Sequence, residues 1–253
     1  MADEKLPFTS HLEELRRRLI VCFIAVGIGF IASYTFKEEI LKILMKPLLD
    51  VLPPGGSLVF TGLAEAFSAY LKVSLLTGIF IASPVVLYQI WSFVSPGLHE
   101  REKKNAFPFV LFSTIFFVGG ALFGYFVAFP SAFKYLMSFA TETIRPLPSV
   151  KEYLSLSIGL LFAFGIVFEL PLFVFFLTKI GVVDAKMLSS KRKYAIVIIF
   201  IVAAIVTPTP DAVNQLIMAV PLFLLYELSI WVARVFGGKS VAIQPQIHTD
   251  ERR

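Results

Sequence analysis

The sequence has one cysteine, Cys22, and three histidines, His11, His99 and His248. A single cysteine excludes an intramolecular disulfide, and nothing around it has the spacing of a redox or metal motif. No two histidines stand at metal-ligand spacing. A Ser/His/Asp set and a glycine-rich phosphate loop are also missing. The chain is therefore expected to be no enzyme, with no cofactor, no metal and no nucleic-acid partner. It has no internal repeat and no low-complexity tract, so an inverted-repeat transporter gains no support. Charge is scarce too, at 16% of residues.

What fills the chain is apolar. Of 253 residues, 57% are hydrophobic and 27 are Phe, and the mean hydropathy is +0.80. Ordinary soluble domains are about 45–50% apolar, so the sequence reads as an all-α integral membrane protein. Spans of about 20 apolar residues are expected at residues 19–36, 70–94, 106–133, 153–178, 194–206 and 212–235. Arg16, Arg17 and Arg18 precede the first. That run is long for a signal core and no small-residue cleavage site follows it, so it reads as a retained span. Residues 1–238 form one six-span domain, and residues 239–253 are expected to be a disordered cytoplasmic tail.

Six spans put both termini on one side. Sixteen Lys and Arg residues fall on that side and five on the other, with Lys72 and Lys134 near span ends. The excess predicts cytoplasmic termini.

Several local features carry structure. "EEILKILMKPLLDVLPPGG" spaces its apolar residues as an amphipathic helix along the outer interface. Ser10 with Glu13, and Ser149 with Glu152, read as capping boxes that open helices. In "TPTPD", Thr209 is expected as an N-cap and Pro210 as the first helical residue. Pro84, Pro108, Pro130, Pro171 and Pro221 are expected to bend spans into a concave surface. Gly120 and Gly124 form a small-xxx-small pair for close helix approach. The fifth span has 13 residues from Tyr194 to Val206, about 20 Å of helix against a hydrocarbon core of about 30 Å. With Asn214 and Gln215 beside it, this edge is expected to dock a partner helix, through positions such as Ile205 and Met218.

Three polar groups stand out. In "SHLEELRRRL", Glu13 has a structural role as cap or as partner of Arg17. Glu14 has only the pairing with Arg18, which leaves it free to act as an acid at the membrane surface. In "SPGLHEREKK", Glu100 and Glu102 stand among three basic residues of a loop that orientation alone explains. In "FGIVFELPLFVFFL", Glu169 is a lone acid in an apolar span. A charged acid at the bilayer centre costs on the order of 3 kcal/mol. Either a protonated Glu169 donates to a carbonyl near Pro171, or the acid has a task. Gly165, one turn earlier, is expected to leave room beside it for a partner or water.

"HLEELRRRL", "KPL", "SPVVLYQIWSFVSPGLHEREKK", "GYFVAFP", "YLSLSIGLLFAFGIVFELPL", "TPTPD" and "YELSIW", in that order, resemble the TatC family, the core membrane subunit of the twin-arginine protein translocase. The resemblance covers nearly the whole chain up to Gly238. It implies six transmembrane helices with cytoplasmic termini and a receptor for signal peptides with consecutive arginines, borne by folded cargo and driven by the proton-motive force. By resemblance, Glu14, Glu102 and Phe93 form the signal-peptide site, and Glu169 is the family's intramembrane acid. Pro47, Tyr125 and Asp211 are implied to be architectural, and Gln215, at the polar outer end of the sixth span, is expected to be architectural or to contact a partner. The implied partners are twin-arginine signal peptides, TatA-type and TatB-type single-span subunits and membrane lipid, in homo- and hetero-oligomers. The implied location is the bacterial inner membrane rather than a thylakoid. The competing reading is a proton-coupled small-solute transporter that uses Glu169.

Overall fold

The computed structural model describes residues 8–53, 55–94, 106–141, 143, 146–207, 209 and 211–236. The loop with His99, Glu100 and Glu102, the side chain of His11, Pro210 and the C-terminal tail with His248 lie outside the described residues.

The described residues are helical, with one isolated bridge between Val59 and Ser149. We number the helices α1 (Phe8–Thr35), α2 (Lys37–Leu49), α3 (Glu65–Val94), α4 (Ala106–Phe123), α5 (Phe129–Met137), α6 (Val150–Phe168), α7 (Leu170–Lys179), α8 (Ala185–Ser190), α9 (Arg192–Val206) and α10 (Ala212–Phe236). A π-helical turn, Gly124–Ala128, joins α4 to α5, and Glu169 alone separates α6 from α7. Five continuous segments are long and apolar enough to cross a membrane: Leu12–Thr35, Glu65–Phe93, Phe107–Met137, Val150–Lys179 and Ala212–Phe236. The remaining pass, α9, has 15 residues, about 22 Å of helix.

The prolines act unequally. Before Pro130 the helix widens into the π-turn, and before Pro171 it breaks at Glu169. Pro84 and Pro221 lie inside helices that continue through them, and Pro108 falls in the first turn of α4, where its missing N–H costs nothing.

Two glycine contacts set the closest helix approaches. A Cβ on Gly29 of α1 would stand 2.5 Å from the carbonyl oxygen of Gly78 on α3. A Cβ on Gly120 of α4 would press as closely on the carbonyl oxygen of Phe164 on α6. Gly124 continues the second contact against the ring of Phe164, so the small-residue pair does admit a neighbouring helix, and that helix is α6. Gly165 does not leave the space expected of it: the ring of Phe117 occupies it, 2.8 Å from a built Cβ.

The face opposite the N-terminus is closed by α2 and two loops. Leu41, Leu44, Pro47 and Leu48 of α2 are buried while Ile43 is exposed, as an amphipathic helix requires. Ser149 does cap α6, its Oγ accepting from the N–H of Lys151 at 3.2 Å. The carboxylate on that helix end is Glu65, from α3, and not Glu152. Glu65 Oε1 accepts from Lys151 N–H at 2.6 Å and from Ser149 Oγ at 2.8 Å. Its Oε2 accepts from the Thr61 N–H and hydroxyl and from Gly62 N–H.

Other sequence expectations change at helix ends. Helix α1 begins at Phe8, so Ser10 lies within its first turn and is not the N-cap. Helix α10 begins at Ala212, and its cap is Asp211, whose Oδ1 accepts from Asn214 N–H at 2.7 Å. The cap is thus shifted two residues along the chain from the expected Thr209, and with it the donor that is satisfied. Met218 is 1% exposed and belongs to the core, whereas Ile205 is 78% exposed. Of the two positions expected on the docking edge, only Ile205 faces outward.

Candidate functional site

At the N-terminal face, α1 and α3 enclose a half-open polar cavity of about 600 Å³, lined by Glu13, Glu14, Arg17, Arg18, Val21 and Gln89. Glu14 and Arg18 are one turn apart on α1, which lets Arg18 Nε donate to Glu14 Oε1 at 3.0 Å. Arg18 Nη1 donates to Gln89 Oε1 of α3 at 3.3 Å. The same two helices make their close backbone approach farther along, at Gly29 and Gly78. Among the described residues Glu14 Oε2 accepts no hydrogen bond. Phe93 is half-buried one helical turn beyond Gln89, toward the segment that carries Glu102. The structure thus brings Glu14 and Gln89 together with Phe93 nearby, while Glu102 lies outside the described residues. The Arg18 pairing with Glu14 is the one the sequence suggests, whereas Gln89 is a site member that sequence reasoning does not single out. The signal that could find Gln89 is an amide in an otherwise apolar run, four residues before Phe93.

The second polar group is Glu169, at the break between α6 and α7. Ser113 of α4, 3% exposed, donates from Oγ to Glu169 Oε2 at 2.7 Å. Glu169 Oε1 is buried and has no hydrogen-bond partner among the described residues. A buried acceptor left unpaired costs about 1–3 kcal/mol. The acid therefore reaches across to a serine of the neighbouring helix, and not to a carbonyl near Pro171. Glu169 and the α1–α3 cavity are on different parts of the chain, and no described hydrogen bond joins them.

The residues expected to be architectural have definite contacts. Pro47 has no amide hydrogen to give the Ile43 carbonyl, and Tyr125 in the π-turn donates its hydroxyl to that oxygen at 2.6 Å. Tyr153 of α6 donates to the next carbonyl, that of Leu44. Asp211 Oδ2 accepts from the Asn214 amide at 2.8 Å, and Ser131 of α5 donates to Asn214 Oδ1. Partial burial works to raise the Asp211 pKa, but hydrogen bonds from the backbone and side chain of Asn214 and from Val213 N–H outweigh it and hold the carboxyl below its ordinary range. Gln215 donates to the Phe200 carbonyl at 3.0 Å, fastening α10 to the short α9. At the N-terminal face the same two helices are joined by Arg192 and Glu227 in a two-point ion pair, 2.7 and 2.9 Å. No group of three or more His, Cys, Asp or Glu suited to a metal occurs among the described residues.

The family model of the Sec-independent protein translocase protein (TatC) matches residues 10–221. A Sec-independent protein translocase protein TatC from Desulforapulum autotrophicum is 52% identical over 94% of this chain and 87% of its own length. The one from Magnetococcus marinus is 46% identical over 92% of this chain and 85% of its own. A crystal structure of the twin-arginine translocase receptor TatC superposes with a TM-score of 0.74 at 41% identity, covering 89% of this chain and 98% of that one. The fold, the order of motifs and these relatives agree, and the chain belongs to the TatC family.

Proposed function

We propose that the chain is the signal-peptide receptor and core subunit of a twin-arginine translocase, a multi-pass membrane protein that exports folded proteins and catalyses no reaction. The observation that carries this reading is Glu14. It lies in an open polar cavity, with one oxygen held by Arg18 and the other not engaged among the described residues. Two guanidinium groups call for carboxylates in a partly dehydrated site, where charge-assisted bonds are strongest. Glu14 and Glu102 supply them, and Phe93 adds an apolar contact for the segment that follows the arginines. Glu169 acts later, within the membrane, on cargo peptide or a partner helix.

Both termini are cytoplasmic, a reading supported by the Lys and Arg excess on the N-terminal side, and the membrane is the bacterial inner membrane. Transport draws on the proton-motive force, and single-span subunits of the TatA and TatB type pack against α9 and α10. The thin α9 supports that edge, because a span of about 22 Å leaves a hydrophobic mismatch that a neighbouring helix relieves. Membership of the translocase family displaces the competing solute-transporter reading.

The test is peptide binding to the purified receptor. A twin-arginine peptide should bind and its twin-lysine counterpart should bind at least about tenfold more weakly, because lysine lacks the planar fork. Equal binding of the two would overturn the assignment.

A further inference from the structure

Contacts along α4 and the π-turn run antiparallel to α6 and its end at Glu169. Ser113 faces Glu169, and one turn along, Phe117 faces Gly165. Gly120 then meets Phe164 and Phe168, and Gly124 meets the Phe164 ring. The glycines bring the two backbones close, and the serine stands at the end of that seam where α6 stops. A hydroxyl there reaches the carboxyl at 2.7 Å.

We propose that Ser113 is the positioning residue for Glu169 in transport. It fixes Oε2 against α4 and so sets the orientation in which the carboxyl meets a hydrogen-bond donor on a membrane helix or peptide that displaces the present packing around it. This rests on the reading of Glu169 as a transport group. A serine suits the role because its hydroxyl can donate to a carboxylate and accept from a carboxylic acid, so it holds the group in either protonation state. An alanine can do neither. Ser113 is buried at 3% exposure, so water does not substitute for it easily. The second observation is that Oε1 has no partner among the described residues: most buried polar atoms are paired, and one that is not calls for a reason such as a role in transport.

The experiment compares Ser113→Ala, Ser113→Thr, Glu169→Gln and the double variant Ser113→Ala/Glu169→Gln, each in the full translocase in inverted membrane vesicles. Export rate, signal-peptide binding and the infrared carboxyl band assigned by difference from Glu169→Gln are read on each. Ser113→Ala should slow export about tenfold, the size of one lost charge-assisted bond, with signal-peptide binding unchanged. Its carboxyl band should shift, and Ser113→Thr should restore both band and rate. The double variant should be no slower than Glu169→Gln alone, because the hydroxyl then holds only an amide that has already lost the acid's role in transport. Normal export and an unshifted band in Ser113→Ala would overturn the proposal while leaving Glu169 in place. The same holds for an equal extra loss when Ser113→Ala is added to Glu169→Gln. Normal export by Glu169→Gln would overturn both readings together.

Discussion

Tyr125 supplies the hydrogen that Pro47 withholds. The proline leaves the Ile43 carbonyl without a donor, and the tyrosine hydroxyl meets that oxygen from the π-turn at 2.6 Å. The two residues are coupled through a third that neither resembles. Tyr125→Phe should destabilise the detergent-solubilised protein by about 1 kcal/mol, the usual net worth of such a bond. In a Pro47→Ala background the new backbone N–H can serve Ile43, and the cost of Tyr125→Phe should shrink. A thermal-denaturation cycle on the four proteins measures the coupling, and additive losses would sever it.

Glu14→Gln and Glu102→Gln should each weaken twin-arginine peptide binding about tenfold or more, as loss of one charge-assisted bond implies. Glu13→Gln should do less. The measurement is peptide titration against each variant, and equal effects at all three positions would mean diffuse attraction in place of a site.

Helix packing gives a sharper contrast. Gly120→Ala drives a methyl against the Phe164 carbonyl, well inside contact distance, and such overpacking costs about 1–3 kcal/mol. Gly119, the preceding residue, has nothing within 4 Å of a built Cβ. There the same substitution should be neutral or stabilise by up to about 1 kcal/mol, through helix propensity. Melting temperatures of the two variants decide between seam and lipid face.

Much of this architecture is legible in the sequence. The long apolar runs, the amphipathic α2 and the Ser149 cap follow from composition and spacing, which local physics controls. Gly120 and Gly124 announce a close contact but not the partner helix, because a small residue shows that something approaches and not what. The misreadings share a cause. Gly165 reads as empty space, yet Phe117 fills it, and Met218 reads as an edge position, yet the core covers it. The carboxylate expected from Glu152 comes from Glu65, and Asp211 displaces Thr209 as the cap of α10. Each depends on residues distant in the chain or on a shift of phase or boundary by a residue or two. Of the candidate site, Glu14, its i,i+4 partner Arg18 and Phe93 are singled out by motif and spacing, while Gln89 needs the α1–α3 crossing to become part of it.

The Asp211 cap also has an acid signature. Its carboxyl is held below the ordinary range when folded, so the stability it contributes is fully present above the unfolded value, about 3.9. That stability is lost as pH falls through the depressed folded value. Asp211→Asn keeps an N-cap acceptor but has no proton to gain. It should therefore show a shallower fall of stability over that acidic window than the parent. Parallel acid dependence of the two proteins would contradict the assignment.

Glu65 carries a mechanical meaning beyond its hydrogen bonds. One carboxylate serves as counter-ion to the positive ends of two helices, its own α3 and the neighbouring α6, from a position only 6% exposed. Sliding either helix end separates charge in a place that salt and water reach poorly. These two helices are thus riveted at one end. Farther along, the second strut has its joint at Glu169, where the helix is already broken. A strut of this form is stiff at the end that Glu65 holds and has its weak point at Glu169, so a load on α7 bends the span there before it disturbs the Glu65 end.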